Sequence, residues 1–208
     1  MVRQLFTIGH SNLTIEAFIP LLQLHQITAV ADVRSRPYSR YLPHFNKAEV
    51  KTALLKDGIQ YVFLGQELGA RTDDLSCYDL TGKALYDRIA KTPLFSEGIQ
   101  RLLKGIEQYK IALMCAEKDP MTCHRTILVC RNLKPFNLQI NHILPDGTLE
   151  THEHLEERLL TKFNKGKDIN QPIQLSLFEV APPPPEINLE DAYHRQGLEI
   201  AYVNKENP

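Results

Sequence analysis

Little in this chain pulls it toward any one class of partner. Its 24 basic and 25 acidic side chains nearly cancel, leaving a formal charge of −1 over 208 residues. A nearly neutral chain has no global attraction for nucleic acid or an anionic membrane, so any such binding is local. Long apolar runs are missing as well. The opening "MVRQLFTIGHSNL" is too short an apolar stretch for a secretory signal, and no segment reaches the length of a membrane span. A cytoplasmic protein with no membrane partner is therefore expected. Cysteine is sparse. Cys77, Cys115, Cys123 and Cys130 include no C-x-x-C pair, which removes the commonest zinc signature. In a reducing compartment they are expected as thiols rather than disulfides. No internal repeat is evident.

What is present is an alternation of two periodicities. "RQLFTIGHS", "ITAVADVRS", "IQYVFLG", "KIALMCAE" and "LQINHILP" read as short buried strands. Between them, "NLTIEAFIPLLQLHQ" carries Ile15, Phe18, Ile19 and Leu22 on one helical face, with Thr14 as cap and Pro20 predicting a late start or a kink. "NKAEVKTALLKDG" has Asn46 and Glu49 at capping-box spacing and Gly58 at its end. Further helices are predicted in "GKALYDRIAK", "SEGIQRLLKGIEQY", "CHRTILVCRNL" and "HEHLEERLL". Strands alternating with helices imply an α/β fold: a single domain over 1–163 with a mainly parallel, helix-flanked sheet. From 164 to 208 the chain turns rich in proline, asparagine and charge, and is expected to be a flexible tail.

A parallel sheet delivers every strand's carboxyl end to one edge, where sites form. That edge would gather His10 and Ser11 from the first strand, Asp32, Arg34 and Arg36 from the second, and Cys115 and Glu117 from the fourth. Asp119-Pro120 suits a helix entry, placing Cys123, His124 and Arg125 near its first turns, where free N–H groups favour anions and lower a thiol's pKa. Arg34 and Arg125 then suit a phosphate or carboxylate. The phosphatase spacing of Cys, five residues, Arg is missing, since Arg125 lies ten positions after Cys115. Cys115, Glu117, Cys123 and His124 are acceptable zinc or iron ligand types. Yet Cys-x7-Cys-His is not a common closed site and Arg125 opposes a cation, so no metal and no cofactor is assigned. Cys130 falls on a helix face with Val129 and Leu133 and reads as core; His142, His152 and His154 lack a ligand spacing. The loop "DVRSRPYSRYLPHFNKAEVK" interleaves Arg34, Arg36, Arg40, Lys47 and Lys51 with Tyr38, Tyr41, His44 and Phe45. Cations with rings are what a nucleotide or single-stranded nucleic acid needs, although a solvated loop with its aromatics packed down has the same composition.

"TIGHS", "DVRSRPYSR" and "LMCAEKDPMTCHR", in this order, resemble the hallmark motifs of the prokaryotic family called domain of unknown function 488, over roughly residues 3 to 160. The resemblance implies a compact α/β domain and brings no reaction with it. "QLSLF", Gln174, Leu175, Ser176, Leu177 and Phe178, resembles the peptide by which bacterial polymerases and repair proteins dock on the replication sliding clamp. In a polar tail it would place Leu177 and Phe178 in an apolar pocket beside a hydrogen-bonded Gln174; otherwise the island folds back onto the domain.

These features together suggest an enzyme acting on nucleic acid or a nucleotide, with a role in DNA repair. Cys115 or Cys123 would be the nucleophile, His124 or Glu117 would move protons, and Asp32 would orient an arginine. His10, Ser11, Arg34, Arg36, Tyr38, Arg40 and Arg125 would bind substrate. The rivals are a non-enzymatic module binding nucleic acid and the sliding clamp, and a metal or redox sensor.

Overall fold

The computed structural model describes residues 3–164 and 186–204. In chain order the elements are β1 (Arg3–Gly9), α1 (Ile15–Leu24), β2 (Ala29–Asp32), α2 (Lys47–Lys56), β3 (Gln60–Phe63), α3 (Tyr86–Ile89), α4 (Pro93–Ile106) and β4 (Ile111–Cys115). A short 3-10 turn, Pro120–Thr122, and a π-helical stretch, Arg125–Cys130, then lead into α5 (Arg131–Leu133). They are followed by β5 (Leu138–Ile143), β6 (Leu149–Thr151), α6 (His152–Asn164) and α7 (Leu189–Ile200).

The six strands form one sheet in the order β3-β2-β4-β1-β5-β6. The first five are parallel and β6 runs antiparallel to β5. β2 and β4 are buried along their whole length, as strands covered on both faces must be, and this is why they read as unbroken apolar runs. One face packs on α1 and α2 through Phe18, Leu22, Val50 and Leu54. The other packs on α4, the π-helical stretch, α6 and α7 through Leu102, Ile127, Leu159 and Tyr193. The connections leaving β1 and β4 therefore cross to opposite faces, which opens a crevice at the strands' carboxyl ends.

Local signals account for most boundaries. Thr14 accepts the Ala17 N–H at 3.3 Å, and α1 begins at Ile15 with Pro20 inside it on an exposed position, so no late start occurs. Gly58 closes α2 with φ +75°. The capping box expected at Asn46 does not form, because its side-chain oxygen accepts the Ser39 N–H at 2.7 Å instead. The helix expected in "GKALYDRIAK" shrinks to α3, and β6 was not foreseen.

The span 164–208, read as a tail, is corrected in part. Within it α7 is folded onto the domain, with Ala192 and Tyr193 fully buried. Asn188 caps α7 by accepting the Asp191 N–H at 2.9 Å. Asn164 and Ile187 hydrogen-bond reciprocally, at 3.2 and 3.1 Å, so the chain returns to the point where α6 ends. Gln174, Leu175, Leu177 and Phe178 lie outside the described residues. Among the described residues no helix is long and apolar enough to cross a membrane.

Candidate functional site

At the carboxyl edge, β1, β2 and β4 hand over to loops held in register by backbone bonds. His10 and Ser11 donate to the Cys115 and Ala116 carbonyls at 2.9 and 2.8 Å, and Val33 donates to Met114 at 3.1 Å. Gly9 lets the 116–118 loop cross so closely, since a Cβ there would stand 1.8 Å from the Glu117 carbonyl oxygen. Above this edge opens a cavity of about 410 Å³. Arg34, Ser35, Arg36 and Tyr38 line it from the loop after β2, and Cys115, Ala116, Glu117, Thr122 and His124 from the segment after β4. Ala70, Arg71 and Tyr86 also line it, together with Ile200 at the end of α7 and Tyr202 just beyond it.

The floor is a thiol cluster. Donor atoms of Cys115, Glu117, Cys123 and His124 all lie within 4.8 Å of one another. Nδ1 of His124 is 3.6 Å from the Cys115 sulfur and 3.9 Å from that of Cys123. Its Nε2 is 3.0 Å from the Val33 carbonyl, which only accepts, so this nitrogen carries a hydrogen and the ring is oriented with Nδ1 toward the sulfurs. Cys123 lies 2.9 Å from Glu117 Oε2 and accepts the Arg125 backbone N–H at 3.4 Å. Cys115 lines the cavity and Cys123 does not, although both are buried, at 2 % and 1 % exposure.

Arg125 is fully buried, and among the described residues it has no carboxylate partner within ion-pair distance. Its guanidinium donates to the Glu117 carbonyl at 2.8 Å, the Lys118 carbonyl at 3.5 Å and Thr7 Oγ1 at 3.4 Å. A buried cation requires a negative group nearby, and the Cys123 sulfur supplies one. Burial pushes the Cys123 thiol up, but the Cys115 hydrogen bond, the Arg125 charge and His124 outweigh it and hold Cys123 well below the usual thiol range. Cys115 moves the other way, raised by burial and then by Cys123. Burial also raises Glu117, with Cys123 adding to it. For His124 burial lowers the pKa, and Cys123, Glu117 and the Val33 carbonyl together more than reverse it. The two sulfurs are thus driven in opposite directions, Cys123 toward the thiolate and Cys115 toward the thiol.

The remaining candidates from the sequence separate into distinct roles. Asp32 grips Arg34 through two oxygens, at 2.9 and 2.6 Å, and takes the Tyr61 hydroxyl at 2.8 Å, so it orients an arginine and does not reach the cavity. His10 is buried behind Arg34. Its Nδ1–H faces the Ser11 carbonyl at 3.0 Å and its Nε2 accepts from Arg34 at 3.2 Å, which requires the neutral ring. Burial, then the Arg34 charge, lowers its pKa to about 4. His10 and Arg125, expected at the substrate, are both buried on protein partners and do not line the cavity. Ser11 and Arg40 also fall outside the cavity lining. Arg36 and Tyr38 line it and are exposed.

Sequence reading missed Arg71, Tyr86, Ile200 and Tyr202. Arg71 stacks 4.2 Å over the Tyr202 ring, and Tyr202 is fixed where its carbonyl accepts the Ala84 N–H at 2.9 Å. The available signal was Asn188 three before Asp191, followed by Ala192, Tyr193 and Ile200 at helical spacing.

Behind the site runs a buried row of hydrogen bonds. Tyr193 donates to Glu156 at 2.8 Å, so its oxygen accepts from His152 Nε2 at 3.0 Å. His152 Nδ1 then accepts from His142 Nε2 at 3.1 Å, and His142 Nδ1 from the Thr7 hydroxyl at 2.8 Å. Thr7 in turn accepts from Arg125. Both histidines are neutral, burial being the chief cause that lowers each. The row ties α7 to the arginine beside Cys123.

No curated protein matches the chain, and no solved structure does. A family description, Domain of unknown function DUF488, matches residues 14–131, which contain "DVRSRPYSR" and "LMCAEKDPMTCHR" but not "TIGHS". With more than half of its length matched, the chain belongs to the DUF488 family.

Proposed function

We propose that the protein is a thiol-dependent enzyme acting on a nucleotide or a nucleic-acid strand, with Cys115 as the attacking sulfur. The observation that carries this reading is the placement of Cys115. The residue lines the cavity, and its sulfur lies 3.6 Å from an imidazole nitrogen whose ring is pinned through the opposite nitrogen. As the sulfur bonds to an electrophilic atom of the substrate, that atom's bond to the leaving group breaks and the thiol proton passes to the Cys123–His124 pair; attack by water on the same atom later breaks the bond to sulfur and returns the thiol. The same pair returns a proton to the leaving group.

Above the thiols, Arg36 and Arg71 supply positive charge, and among the described residues neither takes part in an ion pair. Tyr38, Tyr86 and Tyr202 supply ring faces. Cations and aromatic rings around a cavity of this size suit a phosphate joined to a base.

Iodoacetamide tests the reading. Cys115 should be alkylated in the native protein, Cys77 and Cys130, which do not line the cavity, should not, and a nucleoside monophosphate should slow the alkylation. Arg36→Ala combined with Arg71→Ala should remove that protection. A native Cys115 as inert as Cys130 would overturn the proposal.

A further inference from the structure

The same four donors carry a second possibility of chemistry. Around a tetrahedral zinc ion, with bonds of about 2.3 Å to sulfur and about 2.0 Å to nitrogen, ligand atoms stand about 3.5–3.8 Å apart. The Cys115-to-His124 separation, 3.6 Å, already has this length, the Cys123-to-His124 separation, 3.9 Å, is slightly longer, and the four donor atoms, all within 4.8 Å of one another, need draw in by no more than about 1 Å. The Cys123–Glu117 pair, at 2.9 Å, is closer because a proton lies between them, and it would open as that proton leaves. The His124 ring is held from behind by the Val33 carbonyl, the outer partner that a metal-binding imidazole ordinarily has. The charges close as well: a divalent ion with two thiolates and one carboxylate carries −1, and fully buried Arg125 brings +1.

We propose that Cys115, Glu117, Cys123 and His124 bind a thiophilic divalent cation, zinc foremost, and that its occupation takes the attacking sulfur out of use. This rests on the reading of the pocket as a thiol site and gives that site its regulation. The cation displaces the Cys115 thiol proton and the proton shared by Cys123 and Glu117, both to solvent, and no electron is transferred. The Arg125 guanidinium is already committed to the Glu117 and Lys118 carbonyls and the Thr7 hydroxyl oxygen.

The test uses the full chain, reduced and stripped of metal, titrated with Co²⁺. A single equivalent should bind with a thiolate-to-cobalt charge-transfer absorption and the strong visible bands of tetrahedral geometry. Zn²⁺ should abolish both, and should stop alkylation of Cys115. Cys115→Ser should remove most of the charge-transfer band. Glu117→Gln, which keeps the side chain's size and removes only its charge, should weaken binding at least about tenfold. Cobalt that stays octahedral and without a thiolate band would overturn the inference. If Cys115 is then still alkylated, the thiol reading survives alone. Tetrahedral cobalt on a protein whose metal-free Cys115 is inert would support the metal site and remove the nucleophile.

Discussion

A single hydrogen atom sets the spacing of the whole pocket. Gly9 ends β1 directly beneath the 116–118 loop, and a methyl group there would overlap the Glu117 carbonyl and approach Arg125 Nη1 at 3.2 Å. The obstruction is backbone, so no change of rotamer relieves it. Gly9→Ala should therefore destabilise the protein by about 1–3 kcal/mol, the usual cost of overpacking, and should weaken the hold on Arg125. Urea unfolding of the variant checks this; an unchanged midpoint would mean that the loop has room the geometry denies. The same residue scale separates what the sequence disclosed from what it hid. Cys115, Glu117, Cys123 and His124 were legible because strand ends of a parallel sheet must share an edge. The burial of Arg125 was not, because an arginine's target is decided by which carbonyls a loop presents.

At the scale of elements, α7 is the piece that sequence reading lost. Proline and charge on either side made the span look solvated, although the cap at Asn188 and the spacing of Ala192, Tyr193 and Ile200 describe a helix. Its anchor is the Tyr193 hydroxyl between His152 and Glu156. Tyr193→Phe keeps the ring and deletes that hydroxyl, leaving a buried His152 nitrogen without its acceptor, at a cost of about 1–3 kcal/mol. Because Tyr202 follows α7 into the cavity wall, the variant should also lose part of the protection by a nucleoside monophosphate. Thermal unfolding together with the alkylation assay reads both, and a variant unchanged in each would detach α7 from the site. The π-helical turn at Arg125–Cys130 is a comparable loss, since "CHRTILVCRNL" has the apolar pattern of any helix and nothing local marks the wider turn.

The molecule as a whole carries its buried histidines into its response to acid. His10, His142 and His152 are held neutral, His10 with a pKa of about 4, while the unfolded chain protonates them near about 6.5. Between these values the unfolded state binds more protons, so stability falls as pH drops. The slope is about 1.4 kcal/mol per pH unit for each histidine that titrates only when unfolded. Glu117 and His124, both raised, oppose the trend, two groups against the three histidines. Urea midpoints measured from pH 7 to pH 5 should decline, and a flat series would contradict the neutral rings. The architecture itself was the most legible level, since five runs of apolar residues separated by helical spacing leave few alternatives to a covered parallel sheet. The order of its strands was not written in any one of them.

The row from Arg125 to Glu156 has a polarity of its own. Each inner member gives one hydrogen and takes one, always in the same sense, because the guanidinium at one end can only give and the carboxylate at the other can only take. No link can reverse alone. The protein therefore holds, across its core, a wire with a fixed arrow, and cutting it in two places should cost little more than cutting it once.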